Sequence, residues 1–597
     1  MSDHPWRNTF AVAAIAAVMF LTALGSTRLW DEDEPKNAAC GQEMLSRGDW
    51  IVPTFNGQLR TDKPILLYWC MLAVYNVLGV SELTARLPSA LAGVGTVVLT
   101  YHLGRMLFNR RSGLIASCLL ACALNFAVLA RAATPDSLLI LCITASLASF
   151  VAGVATRHGG HFSGCVLGQT RYCSPITEVG LPALACVGMY VAMGLAVLAK
   201  GPIGVVMPLG ITGSYLMFGD GAVAMPAGGG WLRRWSLFLA RCIAPRNVFR
   251  MLQTLRVWWG LPLAALIAVP WYLAVGVQTH GQWLLGFLGT HNIGRFMHPM
   301  ENHHGLPLYY LVAILIGFFP GSVFLPVAIW SSANDVRDKG DRRPSAAFVL
   351  CWIGCYLGFF TMAATKLPNY VVPCYPALAL ATGTWLAGAT LRATARDWRL
   401  LAGYSTLGIV GLATAIGLGI AAQKVLNMSP SLALPGLVAL VGGLICVLLL
   451  RGNRVQASLT NFVATCLLTT AAGMTYTASL VSPLADGPNL AARINALAVA
   501  HDHAPGVATY RYSPPTLVYY LRHPVARLET DQLATFFDRG DVLIMPRDAY
   551  DRERKRLPSD VQILGEEQRF LHKNNSVVML GRATDVARGD NGDVQTH

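Results

Sequence analysis

The sequence predicts a polytopic α-helical membrane protein that ends in a small water-soluble α/β domain, and three observations lead there. Hydrophobic residues make up 54% of the 597 and charged residues 13%, where soluble domains carry about 25% charged. Charge-free runs near the ~20 residues that cross a bilayer recur up to Ala485. Beyond Ala485 the pattern changes to short alternating segments among many charges. The net charge of +14 does not signal a nucleic-acid partner, because such proteins are polar throughout; Lys and Arg collect instead in the cytoplasmic loops of membrane proteins. With a mean hydropathy of +0.47, an ordinary cytosolic enzyme is excluded.

Thirteen runs read as spans. In order they are Thr9–Thr27, Leu87–Gly104, Gly113–Ala130, Ser137–Thr156, Val179–Ala199, Gly201–Gly219 and Val257–Thr279. Then come Gly305–Asn334, Ser345–Thr365, Leu367–Leu391, Leu400–Gln423, Val425–Leu450 and Val455–Ala485. The first is longer in its apolar part than the core of a signal peptide and reads as an uncleaved helix. Pro64–Val80 is borderline, and parity decides its place: if it spanned, every later loop would change sides. Left on the surface as an interfacial helix, it puts Arg105, Arg110 and Arg111, the six arginines from Arg233 to Arg256, and Arg392, Arg396 and Arg399 on one side. That asymmetry is the positive-inside signature. The first outer loop is then residues 28–86, and the chain divides into a membrane domain, 1–485, and an outer soluble domain, 486–597.

In the soluble domain Gly506–Tyr512, Val542–Met545 and Ser576–Leu580 read as strands, and Asn489–Ala500 and Thr530–Phe537 as helices. Of the 14 cysteines, most lie in spans, where a free thiol is a small apolar group. Cys40 and Cys70 share the outer loop and are the one pair placed to form a disulfide. The loop holding His158, His161, Cys165 and Cys173 fits no standard zinc spacing and reads as a solvated insertion.

The polar residues that break the apolar pattern gather on the outer side. The first loop opens with Asp31, Glu32, Asp33 and Glu34; carboxylates at a membrane edge are either functional or a solvated helix exit. Thr61–Pro64 (T-D-K-P) brings Lys63 to the headgroup boundary, as an anchor or a lipid-phosphate ligand. Asp136 starts a span, where a carboxylate also caps the helix dipole. Ala199–Pro202 (A-K-G-P) carries Lys200, and Thr365–Pro373 carries Lys366 and Tyr370. Residues 278–304 carry Arg295 with His280, His291, His298, His303 and His304. Acids, bases and a lipid surface together suit binding of a phosphorylated lipid, with one carboxylate as base.

The string DEPKNAACGQEMLSRGDWIVP (Asp33–Pro53), followed by Asn56-Gly57, DKPILLYW (Asp62–Trp69) and RLPSAL (Arg86–Leu91), resembles the bacterial membrane glycosyltransferases of the aminoarabinose transferase and protein O-mannosyltransferase type. The likeness continues through Lys200–Pro202, Pro270–Tyr272, HNIGRF (His291–Phe296), Leu306–Pro326 and KLPNYVVPCYP (Lys366–Pro376), over roughly residues 1–400; the set is specific where each motif alone is weak. The resemblance implies a GT-C fold of thirteen spans with a periplasmic C-terminal domain, in a bacterial inner membrane. It also implies transfer of a sugar from a polyprenyl-phosphate carrier, with inversion, to a lipid A-like glycolipid, protein or envelope glycan.

By position Asp33, with Glu34 beside it, matches the family's catalytic aspartate and Asp136 its second aspartate. Lys63 and Arg295 match residues that hold the carrier phosphate, with Lys200, Lys366, Tyr370 and Tyr68 completing that set. No nucleotide or redox cofactor is implied. Some relatives hold a divalent metal, for which Asp62 and His291 are the candidate ligands to Zn, Mg or Mn. Two departures stand out: Lys36-Asn37 where Arg-Tyr usually follows the Asp-Glu pair, and Asp62 where Glu is common. The competing class is a transporter or flippase of lipid-linked sugars; the nearly charge-free spans and the absence of an obvious repeat of the halves weigh against it.

Overall fold

The computed structural model describes residues 5–30, 32–157, 162, 180–219, 230–294, 308–338, 340–501, 506–537, 541–570 and 575–582. Among these residues nine helices are long and apolar enough to cross a membrane by length and composition, and eleven if each of two bent pairs is one span. Two shorter apolar helices, Trp6–Leu21 and Ile203–Phe218, lie in two further runs, so each of the thirteen runs contains helix. The protein is a polytopic membrane protein.

The bent pairs are Arg110–Ala121 with Leu124–Arg131, at 65°, and Tyr309–Gly317 with Gly321–Arg337, at 118°. A helix break within a bilayer exposes backbone groups that cost several kcal/mol each if unmet. The two breaks meet each other: Leu124 N–H donates to Phe319 O at 3.0 Å, and Pro320 beside it has no N–H to satisfy. Elsewhere small residues set the packing. A Cβ on Gly411 or Gly436 would strike the facing backbone, so the Trp398–Lys424 and Leu434–Arg451 helices cross in close contact, as small residues allow in membranes.

The first long loop is ordered by its own sequence. The Asp33–Arg47 helix stops at Gly48, which takes φ 65° as a C-terminal glycine should. Strands β1 (Thr54–Phe55) and β2 (Gln58–Leu59) then pair antiparallel about Asn56-Gly57, at φ 55° and 73°; two positive φ values are what an Asn-Gly hairpin turn supplies. The stretch read as interfacial forms the helix Leu66–Leu78, 13 residues long and too short to span. It buries Leu67, Tyr68, Met71, Leu72 and Tyr75, with Met71 and Tyr75 packed over Gly41 of the preceding helix. Cys40 and Cys70 are both free thiols; Cys40 is buried, which pushes its pKa up to about 12.

After the helix Asp486–His501 the soluble region forms a five-stranded sheet of β3 (Val507–Thr509), β4 (Ala526–Arg527), β5 (Val542–Pro546), β6 (Val561–Gln568) and β7 (Ser576–Arg582), in the order β4-β3-β5-β7-β6. β3 is parallel to β4 and β5, and β7 is antiparallel to β5 and β6. Alternation divides the sheet between two cores. Val507, Ile544, Val577 and Met579 join the large core that includes the membrane helices, while Ala508, Leu543, Met545, Val578 and Leu580 form a separate cluster. Strands β4 and β6, both poor in apolar alternation, were not read from the sequence. The helix expected over Thr530–Phe537 is one 3-10 turn, Thr530–Gln532; Leu533 and Phe537 reach the second core at a spacing that an open turn serves as well as a helix. The loop with His158, His161, Cys165 and Cys173 lies outside the described residues.

The soluble region sits on the first long loop. Asn56 Nδ2 donates to Val525 O at 2.8 Å, and Val525 N–H donates back to Asn56 Oδ1 at 2.7 Å. Tyr520 Oη donates to Glu82 at 3.0 Å and accepts from Leu29 N–H at 2.9 Å.

Candidate functional site

The first long loop, the Lys200–Pro202 turn, the segments 287–292 and 363–373, and the starts of the Asp33–Arg47 and Asp136–Arg157 helices converge on a cavity of about 620 Å³. Its polar end presents Asp33, Asp62, Lys63, Asp136, Lys200 and His291, and its remaining wall is largely apolar, with Leu139, Ile203, Val206, Phe359 and Phe360. Three of these polar residues are placed by a local feature. Asp33 is the first residue of its helix and Asp136 the first of the Asp136–Arg157 helix, where the dipole favours a carboxylate. Lys200 ends the Ala183–Lys200 helix. Gly201 follows at φ +85°, and a Cβ there would come within 2.7 Å of Phe287, so the Lys-Gly-Pro turn admits only glycine beside this wall.

The charges are paired across the cavity. Lys63 Nζ stands 3.5 Å from Asp33 Oδ2, Lys200 Nζ bonds Asp136, and His291 Nε2 lies 3.0 Å from Asp62 Oδ1. Lys200 also lies over the Tyr370 ring at 5.5 Å, a cation–π contact. Lys63 holds the Asp33 carboxyl below its ordinary 3.8, against the opposing effect of burial. The hydrogen bond from His291, with help from Arg60, holds Asp62 well below the usual carboxylate range. Burial pushes the Lys63 ammonium down and Asp33 pulls it back up. The Asp33 side chain nonetheless keeps 47% of its surface open, while Lys63 keeps 11%. Among the described residues His291 Nδ1, Asn369 Oδ1 and Tyr356 Oη on this wall are buried without a hydrogen-bond partner. Buried polar atoms are normally bonded, and these are atoms that a ligand would satisfy.

Other sequence candidates are elsewhere. Glu34 points away from the cavity into a buried pair with Arg86, whose Nε and Nη2 reach its two oxygens at 2.6 and 2.9 Å. It also accepts from Ala133 N–H at 3.0 Å, while Arg86 donates to Leu24 O, Thr27 O and Arg28 O. Glu34 thus ties the end of the first helix to two loops. Lys366 donates to Thr361 O and Ala363 O at 2.9 and 3.2 Å, capping the end of the Arg343–Met362 helix as a cation suits. Tyr68 is buried behind the cavity. Arg295 lies outside the described residues.

Tyr68 belongs to a network that residue-by-residue reading missed. Arg60 donates to Tyr68 Oη at 3.1 Å and to Asn37 Oδ1 at 3.0 Å, Tyr68 Oη donates to the same Oδ1 at 3.2 Å, and Asn37 Nδ2 reaches Ala133 O at 2.9 Å. Arg60 Nη2 also stands 3.6 Å from Asp62, and Trp283 Nε1 donates to Arg60 O at 2.8 Å. Asn37, noted in the sequence only as a departure, is the hub. Arg60 carried a weak signal, a base two residues before Asp62.

Asp62 and His291 make a pair, and among the described residues no group of three or more His, Cys, Asp or Glu is placed to hold a metal. Arg60 and Lys63 stand beside this pair.

Residues 62–173 match the family profile described as dolichyl-phosphate-mannose-protein mannosyltransferase. Over 441 residues the chain is 27% identical to an undecaprenyl phosphate-alpha-4-amino-4-deoxy-L-arabinose arabinosyl transferase of Pectobacterium carotovorum, covering 73% of this chain and 68% of that one. A Pseudomonas fluorescens transferase of the same description is 28% identical over 399 residues, 66% of this chain and 61% of its own. The structure of ArnT from Cupriavidus metallidurans bound to undecaprenyl phosphate superposes with a TM-score of 0.72 at 21% identity, covering 97% of this chain and 98% of that chain. The fold is therefore the GT-C architecture of ArnT, with the C-terminal sheet region included in the match.

Proposed function

We propose that this chain is an integral membrane glycosyltransferase that moves a pentosyl or hexosyl unit from a polyprenyl-phosphate carrier to an envelope acceptor, inverting the anomeric carbon. The reaction runs on the face that bears the long first loop and the C-terminal domain, and the basic loops read on the other side support a periplasmic placing of that face. The observation that carries the reading is the cavity in which Asp33, Lys63, Asp136 and Lys200 stand at the head of an apolar groove. A phosphate between the two lysines would leave its prenyl tail along Leu139, Ile203 and Val206. The activity of the similar transferases supports the same assignment.

In the step, an acceptor oxygen attacks C1 of the sugar, the C1–O bond to the carrier breaks, and polyprenyl phosphate leaves with the electron pair. Lys63 and Lys200 neutralise the charge that builds on the leaving phosphate, with Arg295 a third cation by its motif; such preorganised charge is usually the largest catalytic contribution. Asp136 fixes the Lys200 ammonium and Tyr370 flanks it. Asp33 stands open to the cavity beside Lys63 and takes the acceptor side. A carboxylate with a depressed pKa is a weak proton acceptor, which favours an acceptor that arrives ionised, such as the phosphate of a lipid A-like glycolipid, over a protein hydroxyl.

The test is transfer by purified Asp33→Asn enzyme given polyprenyl-phosphate sugar and envelope extract. The expected loss is on the order of 10²- to 10³-fold with unchanged thermal unfolding, and wild-type transfer would overturn the assignment. Mass spectrometry of envelope lipids and proteins from a deletion strain identifies sugar and acceptor.

A further inference from the structure

A second cleft, of about 590 Å³, opens between the soluble region and the start of the first long loop. On one side it is lined by Trp30, Glu32 and Pro35, and on the other by Arg511, Tyr512, Ser513 and Arg569. The catalytic candidate Asp33 lies within the same short segment as Trp30, Glu32 and Pro35, so one stretch of chain borders both cavities.

The charged groups that line this cleft differ in how far their bonding capacity is used. Its carboxylates are engaged: Glu32 pairs with Lys36 at 3.3 Å, and Asp486 accepts from Tyr512 Oη at 2.8 Å at the start of its own helix. Its guanidiniums make no ion pair among the described residues. Arg569 lies over the Tyr512 ring at 5.5 Å and Arg511 over the Tyr510 ring at 5.3 Å, contacts that fix a guanidinium plane and leave its donors free for a planar anion. Arg511 holds φ 55°, a left-handed conformation uncommon for a residue with a side chain; outliers of this kind concentrate at ligand sites. Trp30, 47% exposed, meets Phe570 edge-on with ring centroids 4.6 Å apart, giving the cleft an aromatic edge of the kind that packs against a sugar ring.

The geometry points to this cleft as a subsite for an anionic saccharide headgroup of the acceptor, a sugar carrying phosphate or carboxylate, bound by Arg511 and Arg569 against Trp30. This rests on the transferase reading above, and it gives the soluble domain a role: it supplies two cations that the membrane helices do not. An acceptor held here lies against the Trp30–Pro35 segment that also carries Asp33.

The experiment uses the full chain in nanodiscs and measures binding of glucosamine 1-phosphate and, separately, of undecaprenyl phosphate. The wild type binds the sugar phosphate and binds methyl glucoside at least tenfold more weakly. The Arg511→Gln/Arg569→Gln variant loses at least tenfold in sugar-phosphate affinity and keeps its undecaprenyl phosphate affinity, whereas Lys63→Ala does the reverse. Wild type that does not bind the sugar phosphate, or unchanged affinity in the double glutamine variant, overturns the subsite; so does sugar-phosphate affinity that falls as far in Lys63→Ala, because the ligand would then sit in the donor cavity. If the double variant also loses undecaprenyl phosphate, Trp30→Ala decides: a tenfold loss confined to the sugar phosphate supports the subsite and no loss overturns it. Wild type that binds sugar phosphate but not undecaprenyl phosphate would fault the transferase reading and leave the cleft standing.

Discussion

Asp33 and Glu34 are neighbours in one helix, yet their surroundings differ in every respect that matters chemically. Glu34 is 4% exposed and its partner Arg86 6%, joined by two short bonds, with further donors and acceptors on both. Asp33 is 47% exposed and meets Lys63 at 3.5 Å, a looser contact facing an open cavity. A saturated ion pair has nothing left to offer a substrate, so it serves architecture. An under-saturated one keeps lone pairs and protons for a ligand. The same contrast separates Lys366, spent on helix carbonyls, from Lys200, which faces the cavity.

The largest expected effect breaks the architectural side. Arg86→Ala leaves Glu34 buried and uncompensated, a loss of about 3–5 kcal/mol; thermal unfolding in detergent and membrane yield measure it, and a stable variant would refute the structural role of the pair. Next, on the chemical side, Lys63→Ala lowers donor affinity and turnover by about 10²-fold while the unfolding temperature stays near that of the wild type. A smaller effect separates the other two lysines: Lys200→Ala weakens binding of polyprenyl phosphate about tenfold, roughly one charge-assisted contact, whereas Lys366→Ala leaves that affinity unchanged and lowers stability by about 1 kcal/mol.

The smallest effect is in pH dependence. Asp33 and Asp62 are held below the ordinary 3.8, so both remain ionised, with their contribution to stability and binding intact, until the pH falls below about 4. Lys63 is displaced downward from 10.5, so the alkaline limb of donor binding falls below that value. Lys63→Arg moves that limb upward, because a guanidinium keeps its proton. A limb that stays in place assigns the titration to another group.

Much of this was legible in the chain. Each of the thirteen apolar runs holds helix because hydrophobic length is a property of sequence alone, and the Asn56-Gly57 hairpin followed from backbone preference. Asp33, Lys63, Asp136 and Lys200 stood out because charge is scarce near the membrane. The breaks at Cys122–Ala123 and Phe318–Pro320 were not legible, since a broken span is tolerated only where another segment meets its freed backbone groups. Nor was the network of Asn37, Arg60 and Tyr68, whose members span the first-loop helix, the loop after it and the interfacial helix.

What the sequence determined by itself was therefore composition and local conformation: which stretches are apolar, which turns close, and that a polar set lies at helix ends. Which member of that set faces a ligand was decided only by tertiary structure. Adjacent residues on a helix point about 100° apart, so Asp33 and Glu34 share a motif but not an environment. Whether a carboxylate meets a saturated arginine or an open cavity depends on residues as distant as Arg86 and Asp136, which only the folded chain brings to it.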